Sequence, residues 1–293
     1  MILSFHPIIV GDENRLCAGR RPDGRDLSAI RAADAVILPQ GCYPVLFEMV
    51  RQNCAHFFPD YTCRFDYPGK ISQSELFRKL EIDHPDTQAF TSLETFYHRY
   101  DRRLDCARLQ FPLVFKFDWG GEGHGVYRVD DPQQLLNLLD KAAESEKTGQ
   151  SGFLLQRLIP DGGRALRVVV IGETILSYWR VQSDENQFCA NLATGATIDS
   201  TGLPGLQQAG RKAARLLSGC TGINLAGIDF LFDTTVSQAD SKSTPLILEI
   251  NYFFGRRGIG DSNTYYTLLR SEIVKWLQSI HLPTETVAQA SLE

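Results

Sequence analysis

Two carboxylates and one amide near the end of the chain have the composition of a metal site. Asp229 lies in the apolar run AGIDFLFD, and Glu249 and Asn251 lie in the run PLILEIN. Both runs are predicted to be neighbouring strands, and residues two apart on a strand share a face. Buried carboxylates need a compensating charge. A hard divalent cation with oxygen ligands, most simply Mg2+, supplies that charge and commonly holds substrate phosphates, which points to nucleotide chemistry.

A glycine-rich segment, DWGGEGHG (118–125), separates two predicted strands, FPLVFKF and VYRV. Glycines let the backbone approach a phosphate closely. No GK[ST] sequence follows, so the segment is not a Walker A loop, and a plain hairpin turn is the alternative. Lys116 favours the phosphate, because a lysine within an apolar strand needs an anion unless it reaches solvent from an edge. The loop glycines are Gly120, Gly121, Gly123 and Gly125.

Two arginines flank a predicted hairpin that turns at Gly172. Arg167 and Arg180 lie near its opposite ends, and a guanidinium group suits bidentate contact with phosphate or carboxylate. A solvated strand edge is the alternative for each of them. Asn191, in the segment FCANLATGA, is either a further polar contact or a turn residue.

The remaining pattern predicts alternating strands and helices, which is typical of an α/β fold. Strands are also expected at ILSFHPIIV, AVILPQG and FLLQRLI. Helices are expected at PVLFEMVRQN, in the segment 67–90 before a turn at His84-Pro85, and over 132–147, 203–219 and about 264–280. Polar loops are expected over 12–26 and 234–244.

Bulk composition excludes several classes of protein. The chain has 293 residues, of which 43% are apolar and 22% charged, with a net charge of −5. That charge argues against nucleic-acid binding as the main role, and no stretch approaches the roughly 18 consecutive apolar residues of a membrane span. The first residues predict a strand rather than a signal peptide. Seven cysteines, an odd number without a CxxC pair, favour a reducing cytoplasm.

The order of these segments resembles the ATP-grasp superfamily, in particular its ribosomal-protein glutamate ligases and glutathione synthetases. The resemblance covers roughly residues 67 to 260. YPGKISQSEL resembles the segment with an ATP-contacting lysine, and DWGGEGHGV resembles the flexible loop over the phosphates. LLQRLI resembles the hinge strand that reads adenine, and AGIDFLFD with LILEIN resembles the metal-ligand strands. Each motif is ambiguous alone, but their shared order is fairly specific.

The resemblance implies two α/β subdomains that grip ATP, preceded by a small N-terminal α/β domain. The implied boundaries are 1–66, 67–155 and 156–293. The ATP contacts that it implies are Lys70, Lys116, the loop glycines, Gln156, Arg157, Leu158 and Ile159. Asp229, Glu249 and Asn251 are implied ligands of Mg2+, with Mn2+ as an alternative, and Arg167, Arg180 and Asn191 are implied catalytic contacts.

Three positions depart from the family pattern. Ala165 stands where the family commonly has an acidic residue for the ribose, and Asp161 is the candidate replacement. Cys189 stands in place of the arginine of the FRxN motif, which changes a substrate or phosphate contact. After the last metal ligand, the family usually has a Pro-Gly turn. Here Phe254 replaces the proline, and Arg256 and Arg257, which follow it, are candidates to line a pocket for an anionic substrate.

The activity that the resemblance implies is ATP-dependent ligation of a carboxylate to an amine, or to a thiol, through an acylphosphate. The expected substrates are a small-molecule or peptide carboxylate and an amine acceptor, without a nucleic-acid or membrane partner, and a homo-oligomer is possible. Two alternatives stay open. One is a kinase of the same fold that stops at a phosphorylated product, and the other is a nucleotide-binding module that has lost catalysis.

Overall fold

Four short parallel strands form the first sheet, in the order β3-β1-β4-β5. The computed structural model describes residues 1–100, 109–120, 124–184, 188, 190, 192, 195–235 and 244–290. The strands are β1 (Ile2–Ser4), β3 (Glu13–Asn14), β4 (Ala35–Ile37) and β5 (Phe57–Phe58). The helices of this region are α1 (Gly24–Ala32), α2 (Pro44–Asn53) and α3 (Thr62–Asp66).

Two expectations for this region are wrong. The predicted strand ILSFHPIIV is divided, because Nδ1 of His6 accepts the N–H groups of Ile8 and Ile9 and turns the chain into β2 (Ile9–Val10). The predicted loop 12–26 contains β3 and the start of α1. Asp23 caps that helix, and Asp26 bonds back to the N–H of Asp23, so the two residues form a capping box.

The second sheet is antiparallel and has the order β6-β9-β7-β8. Its strands are β6 (Thr87–Phe90), β7 (Leu113–Phe117), β8 (Val126–Val129) and β9 (Phe153–Arg157). Helices α5 (Leu93–Tyr100) and α6 (Pro132–Lys147) pack against it around Phe115 and Phe153. The predicted strands and the helix 132–147 are confirmed. Strand β6 was missed, because its partner strand, β9, lies far away in sequence.

The third sheet is also antiparallel, in the order β12-β11-β10-β13-β14. Its strands are β10 (Arg164–Ile171), β11 (Thr174–Val181), β12 (Thr197–Asp199), β13 (Leu225–Leu231) and β14 (Leu246–Asn251). The helices of this region are α7 (Pro204–Thr221) and α8 (Ser262–Ser279). The predicted hairpin and both helices are confirmed. Gly172 suits the hairpin turn because its φ is +56° and a Cβ there would lie 2.6 Å from the Glu272 carboxylate.

Helix α4 (Gly69–Lys79) lies where the sheets meet. Its Leu76 and Phe77 belong to a core that the first and third sheets share, with Val36 and Phe230 among its members. The second sheet has a separate core. Strand β14 lies at the edge of the third sheet and α4 packs beside it, which brings both halves of the predicted site together. The domain boundaries stay predictions.

Within the described ranges, no helix is both long enough and apolar enough to cross a membrane. Five cysteines in those ranges, Cys17, Cys42, Cys54, Cys63 and Cys220, are free thiols. Cys106 and Cys189 lie outside the described residues.

Candidate active site

The three predicted metal ligands lie together on β13 and β14. Asp229 lies directly opposite Glu249, and Gly227 lies opposite Asn251, with a register shift just beyond Asp229. The Nδ2 atom of Asn251 is 3.2 Å from both Asp229 Oδ2 and Glu249 Oε1. The antiparallel pairing therefore collects two carboxylates and one amide around a single point.

Asp229 has partners that the sequence did not reveal. Nη2 of Arg167 donates to Asp229 Oδ2 at 3.0 Å, and Nη2 of Arg180 lies 2.8 Å from Oδ1. Burial opposes ionisation of Asp229, but the two guanidinium groups hold its pKa below the ordinary value. The expectation that Asp229 depends on a cation for neutralisation is therefore wrong, because Arg167 and Arg180 already compensate its charge.

The donor set still fits a hard cation. In the part of the chain that the structure describes, no group of three or more His, Cys, Asp or Glu side chains converges. The candidate consists of the Asp229 and Glu249 carboxylates and the Asn251 amide, all of which offer oxygen. The Asn251 amide N–H group lies within hydrogen-bond distance of both carboxylates, and a cation near that position would be attracted to both. These residues would hold Mg2+ more readily than a thiolate- or imidazole-loving metal.

A cavity of about 540 Å³ opens beside this cluster, between the second and third sheets. Its volume suits a ligand of nucleotide size. Fourteen predicted site residues line it: Lys70, Lys116, Gln156, Arg157, Leu158, Ile159, Asp161, Arg167, Arg180, Asp229, Glu249, Asn251, Arg256 and Arg257. The structure therefore brings residues from six separate sequence segments to one space.

The sequence reasoning missed the apolar wall of the cavity. Val114, Val126, Leu231 and Leu248 line it, near the small buried cluster that contains Ile159. Val114 lies two residues before Lys116, and Leu231 lies two residues after Asp229. Strand alternation puts such pairs on the same face and was the available signal. Apolar strand residues beside charged ones suit a ligand with a flat apolar ring at one end and charge at the other.

The predicted hinge strand forms one rim of the cavity. Gln156 is buried, and its Nε2 donates to Thr87 Oγ1 at 2.8 Å, which ties β9 to β6. Arg157 pairs with Asp233 on the neighbouring segment at 3.7 Å. Asp161 accepts the N–H of Gly163 at 2.9 Å, and burial raises the pKa of its carboxyl group. A partly desolvated carboxylate at the rim is suited to accept hydroxyl hydrogen bonds.

The described ends of the glycine loop contact helix α4. Nζ of Lys70 donates to the carbonyl oxygen of Gly120 at 3.1 Å. Gly120 and Gly125 have φ values of +88° and +78°, which side-chain-bearing residues rarely adopt. Gly121, Gly123 and the predicted contact Asn191 lie outside the described residues.

Arg256 is held by aromatic residues of α8. Its guanidinium group lies 4.8 Å and 4.6 Å from the ring centres of Tyr265 and Tyr266. It also donates to the Tyr266 hydroxyl at 2.8 Å and to Ser262 Oγ at 3.1 Å. Among the described residues, no carboxylate lies in ion-pair range of Arg256. Its positive charge at the cavity wall is therefore suited to an anionic ligand.

Tyr178 is a further cavity residue that the sequence reasoning missed. It lies opposite Arg167 in the β10–β11 pair. Burial raises the pKa of its hydroxyl group, and the nearby Arg167 and Arg180 partly offset that effect. A Cβ at Gly258 would lie 2.1 Å from the Tyr178 ring, so only glycine fits there. Tyr178 therefore supports the segment that carries Arg256 and Arg257.

Comparison with solved structures defines the class of fold. A RimK domain ATP-grasp protein from Sphaerobacter thermophilus superposes with a TM-score of 0.60 over 88% of each chain, at 15% identity. D-alanine–D-alanine ligase from Bacillus anthracis, solved with ATP, gives a TM-score of 0.60 at 16% identity, covering 88% of this chain and 84% of that one. The fold is therefore ATP-grasp, and this prediction is confirmed.

The family is narrower than the fold. Residues 69–277 match the model of the RimK-like ATP-grasp domain, so the chain belongs to that family. A probable alpha-L-glutamate ligase of Marinobacter nauticus is 29% identical over 180 residues, covering 60% of this chain and 53% of that protein. One from Vibrio atlanticus is 31% identical over 157 residues, covering 52% and 46% respectively. The chain thus spans about half the length of the curated relatives it matches.

Proposed function

We propose that this protein is an ATP-dependent ligase that joins a carboxylate to an amine through an acylphosphate, with Mg2+ as the metal. The observation that carries the proposal is the cavity that collects lysines, arginines, carboxylates and an apolar wall between two sheets. Membership of the RimK-like ATP-grasp family supports the same class of reaction. So do the relatives, which are named as probable alpha-L-glutamate ligases.

The apolar wall is the proposed binding place of the nucleotide base. Val114, Val126, Leu231 and Leu248 present a surface on which a flat ring loses contact with water. The backbone of residues 156–159 then offers the hydrogen-bonding groups that recognise the edge of the base. Asp161 takes the place of the family's ribose-binding acid, and its partly buried carboxylate accepts hydroxyl groups.

The phosphates are proposed to lie between the two lysines and the metal ligands. Lys70 and Lys116 supply positive charge from α4 and β7, and the glycine loop supplies backbone N–H groups. Asp229, Glu249 and Asn251 would hold Mg2+, which would supply positive charge against the negative charge that develops during phosphoryl transfer.

Arg167 and Arg180 are proposed to stabilise negative charge on the reacting carboxylate. Both already contact a carboxylate, that of Asp229, at 3.0 Å for Arg167 and 2.8 Å for Arg180. Guanidinium donors in a buried site interact strongly with a developing oxyanion. Asp229 keeps both groups charged and oriented, so it serves the metal site and the arginine pair together.

The substrate end is proposed to lie at the segment 253–257. Arg256 and Arg257 line the cavity there, and Arg256 has no carboxylate in ion-pair range among the described residues. Phe253 lines the same region with 74% of its surface exposed. The proposed substrate is therefore an amino acid or peptide that brings a second carboxylate besides the one that reacts.

A screen for ADP release tests the proposal. Purified protein is incubated with Mg-ATP and mixtures of amino acids and short peptides, and ADP formation is followed. We expect ADP release that requires both an acid and an amine, with an amide as the product. ADP release without any substrate dependence, or none across acidic and neutral peptides, contradicts the proposal.

Product analysis separates the ligase from two other activities of the same pocket. A stable phosphorylated substrate identifies a kinase, and a thioester identifies a thiol acceptor.

One observation favours a module without catalysis. Asp229 is already neutralised by Arg167 and Arg180, so nucleotide binding does not require a metal on that residue. Such a module binds ATP equally well with and without Mg2+.

A further inference from the structure

Gln73 joins helix α4 to the strand that carries two of the proposed metal ligands. Its Nε2 donates to the carbonyl oxygen of Ile250 at 3.1 Å, and its Oε1 accepts the N–H of Ile250 at 2.8 Å. Ile250 lies between Glu249 and Asn251. One amide side chain, 177 residues away in sequence, therefore holds both backbone groups of the residue between the two ligands.

These two hydrogen bonds take the place of those that a further strand beside β14 would make. Strand β14 lies at the edge of its sheet, so the backbone groups that face away from β13 have no partner within the sheet. The amide of Gln73 offers one donor and one acceptor, as a neighbouring strand would. Elsewhere on this edge, the N–H of Ile247 donates to the carbonyl oxygen of Asp83 at 2.9 Å. A two-point contact fixes the rotation of the strand as well as its position.

The same helix also holds the base of the glycine loop. Asp118 Oδ1 accepts the N–H of Ile71 at 2.8 Å, and Lys70 donates to Gly120 at 3.1 Å. Gln73 lies one helical turn after Lys70, on the same side of α4. The first turns of α4 therefore contact both the glycine loop of the second sheet and β14, the strand of the third sheet that carries Glu249 and Asn251.

We propose that Gln73 is a positioning residue of the Mg-ATP site. By holding Ile250, it sets the orientation in which Glu249 and Asn251 face the cation. The inference rests on the proposed function, since it concerns the presentation of metal ligands. Partners that orient metal ligands typically change metal affinity by about 10- to 100-fold when they are removed.

The competing explanation is that Gln73 merely helps α4 pack on the sheet. Both explanations predict a loss of stability when the side chain is replaced, so stability alone does not separate them. Only the positioning role changes the dependence of nucleotide binding on Mg2+. A high concentration of Mg2+ then restores binding, because the ligands are displaced but still present.

The test compares Gln73→Met with Glu75→Met in the full chain. Methionine has a similar length to glutamine and makes neither hydrogen bond, and Glu75 is exposed on the same helix. Calorimetric ATP titrations at a series of Mg2+ concentrations give the half-saturating Mg2+. We expect Gln73→Met to raise that concentration about 10-fold, with normal ATP binding restored at high Mg2+, and Glu75→Met to behave as the parent. An unchanged Mg2+ dependence in Gln73→Met overturns the inference, even if its melting temperature falls.

Two further readouts keep the outcome clear. If Gln73→Met does not fold, Gln73→Asn takes its place, because asparagine is too short to bridge both groups of Ile250. Amide hydrogen exchange at Ile250, measured without nucleotide, is expected to accelerate in either variant, and unaltered exchange contradicts the claim. If the parent protein binds no Mg-ATP, the proposed function fails. If the parent binds and the variants match it, only the positioning role of Gln73 fails.

Discussion

At the scale of single residues, Asp229 links the proposed metal site to the arginine pair. Its buried carboxylate contacts Arg167, Arg180 and the amide of Asn251. Glu249 faces it across the strand pair, and its carboxylate accepts a hydrogen bond from the same amide. The two carboxylates therefore differ in what they stabilise, although they lie side by side. We therefore propose that Asp229 stabilises both the fold and the metal site, and that Glu249 acts in the metal site alone.

This difference predicts contrasting variants. Asp229→Asn leaves two guanidinium groups buried without a carboxylate, so we expect the free energy of unfolding to fall by about 3 to 5 kcal/mol. Glu249→Gln removes one charge from a half-buried position, and we expect a change of less than about 1 kcal/mol. Urea denaturation of both variants measures the difference. Equal stability of Asp229→Asn and the parent contradicts the assigned role of the ion pairs.

At the scale of elements, α4 begins without a cap of its own. The residue before it is Pro68, which makes no capping bond, and Gly69 follows with a φ of +72°. Asp118, from the glycine loop, supplies the acceptor that Ile71 N–H needs. A Cβ at Gly69 would lie 2.8 Å from that carboxylate, so glycine is required for the close approach. The helix and the loop therefore depend on each other.

The capping contact gives a prediction at this scale. Asp118→Ala removes the acceptor at the N-terminus of α4 and is expected to lower the free energy of unfolding by about 1 kcal/mol. Asp118→Asn keeps an acceptor and is the matched control, with a smaller expected loss. Chemical denaturation of the two variants decides. A loss that is the same for alanine and asparagine indicates that the carboxylate does not cap the helix.

Local sequence patterns predicted most of the helices and strands. Which strands pair and which side chains meet depends on contacts between distant segments. Alternation of apolar residues was enough to predict that Asp229, Glu249 and Asn251 lie on neighbouring strands. The pairing of Asp229 with Arg167 depends on the β10–β13 register, which no local pattern encodes. Strand β6 and the contact of Gln73 with Ile250 were missed for the same reason. The N-terminus of α1 did carry a local signal, with Asp23 and Asp26 three residues apart.

At the scale of the whole molecule, the first and third sheets share apolar clusters. Ile2, Ala35 and Phe58 pack with Tyr265 and Ile273 of α8. His6 lies at this junction with its ring 5.8 Å from Tyr266. Burial, and secondarily the charge of Arg256, lowers the pKa of His6 from 6.5 to about 4. The stability of the junction is therefore linked to pH.

The sign of this linkage gives a prediction. Between pH 6.5 and about 4 the unfolded chain binds a proton on His6 that the folded chain does not, so stability falls as the pH falls through this window. The shift corresponds to about 3 kcal/mol at the acid end. His6→Asn keeps an acceptor for the turn and removes the titration. Denaturation curves at pH 7 and pH 4 are expected to show a smaller acid loss for the variant than for the parent, and an equal loss contradicts the assignment.

The central claim is that the cavity between the second and third sheets binds ATP with a metal on β13 and β14. Calorimetric titration of ATP, with Mg2+ and with a chelator, tests it most directly in the parent and in Glu249→Gln. The account predicts tight Mg-dependent binding to the parent, and weak binding to Glu249→Gln that no longer depends on Mg2+. Equal Mg-dependent binding to both proteins contradicts the metal site, and no binding to the parent contradicts the account as a whole.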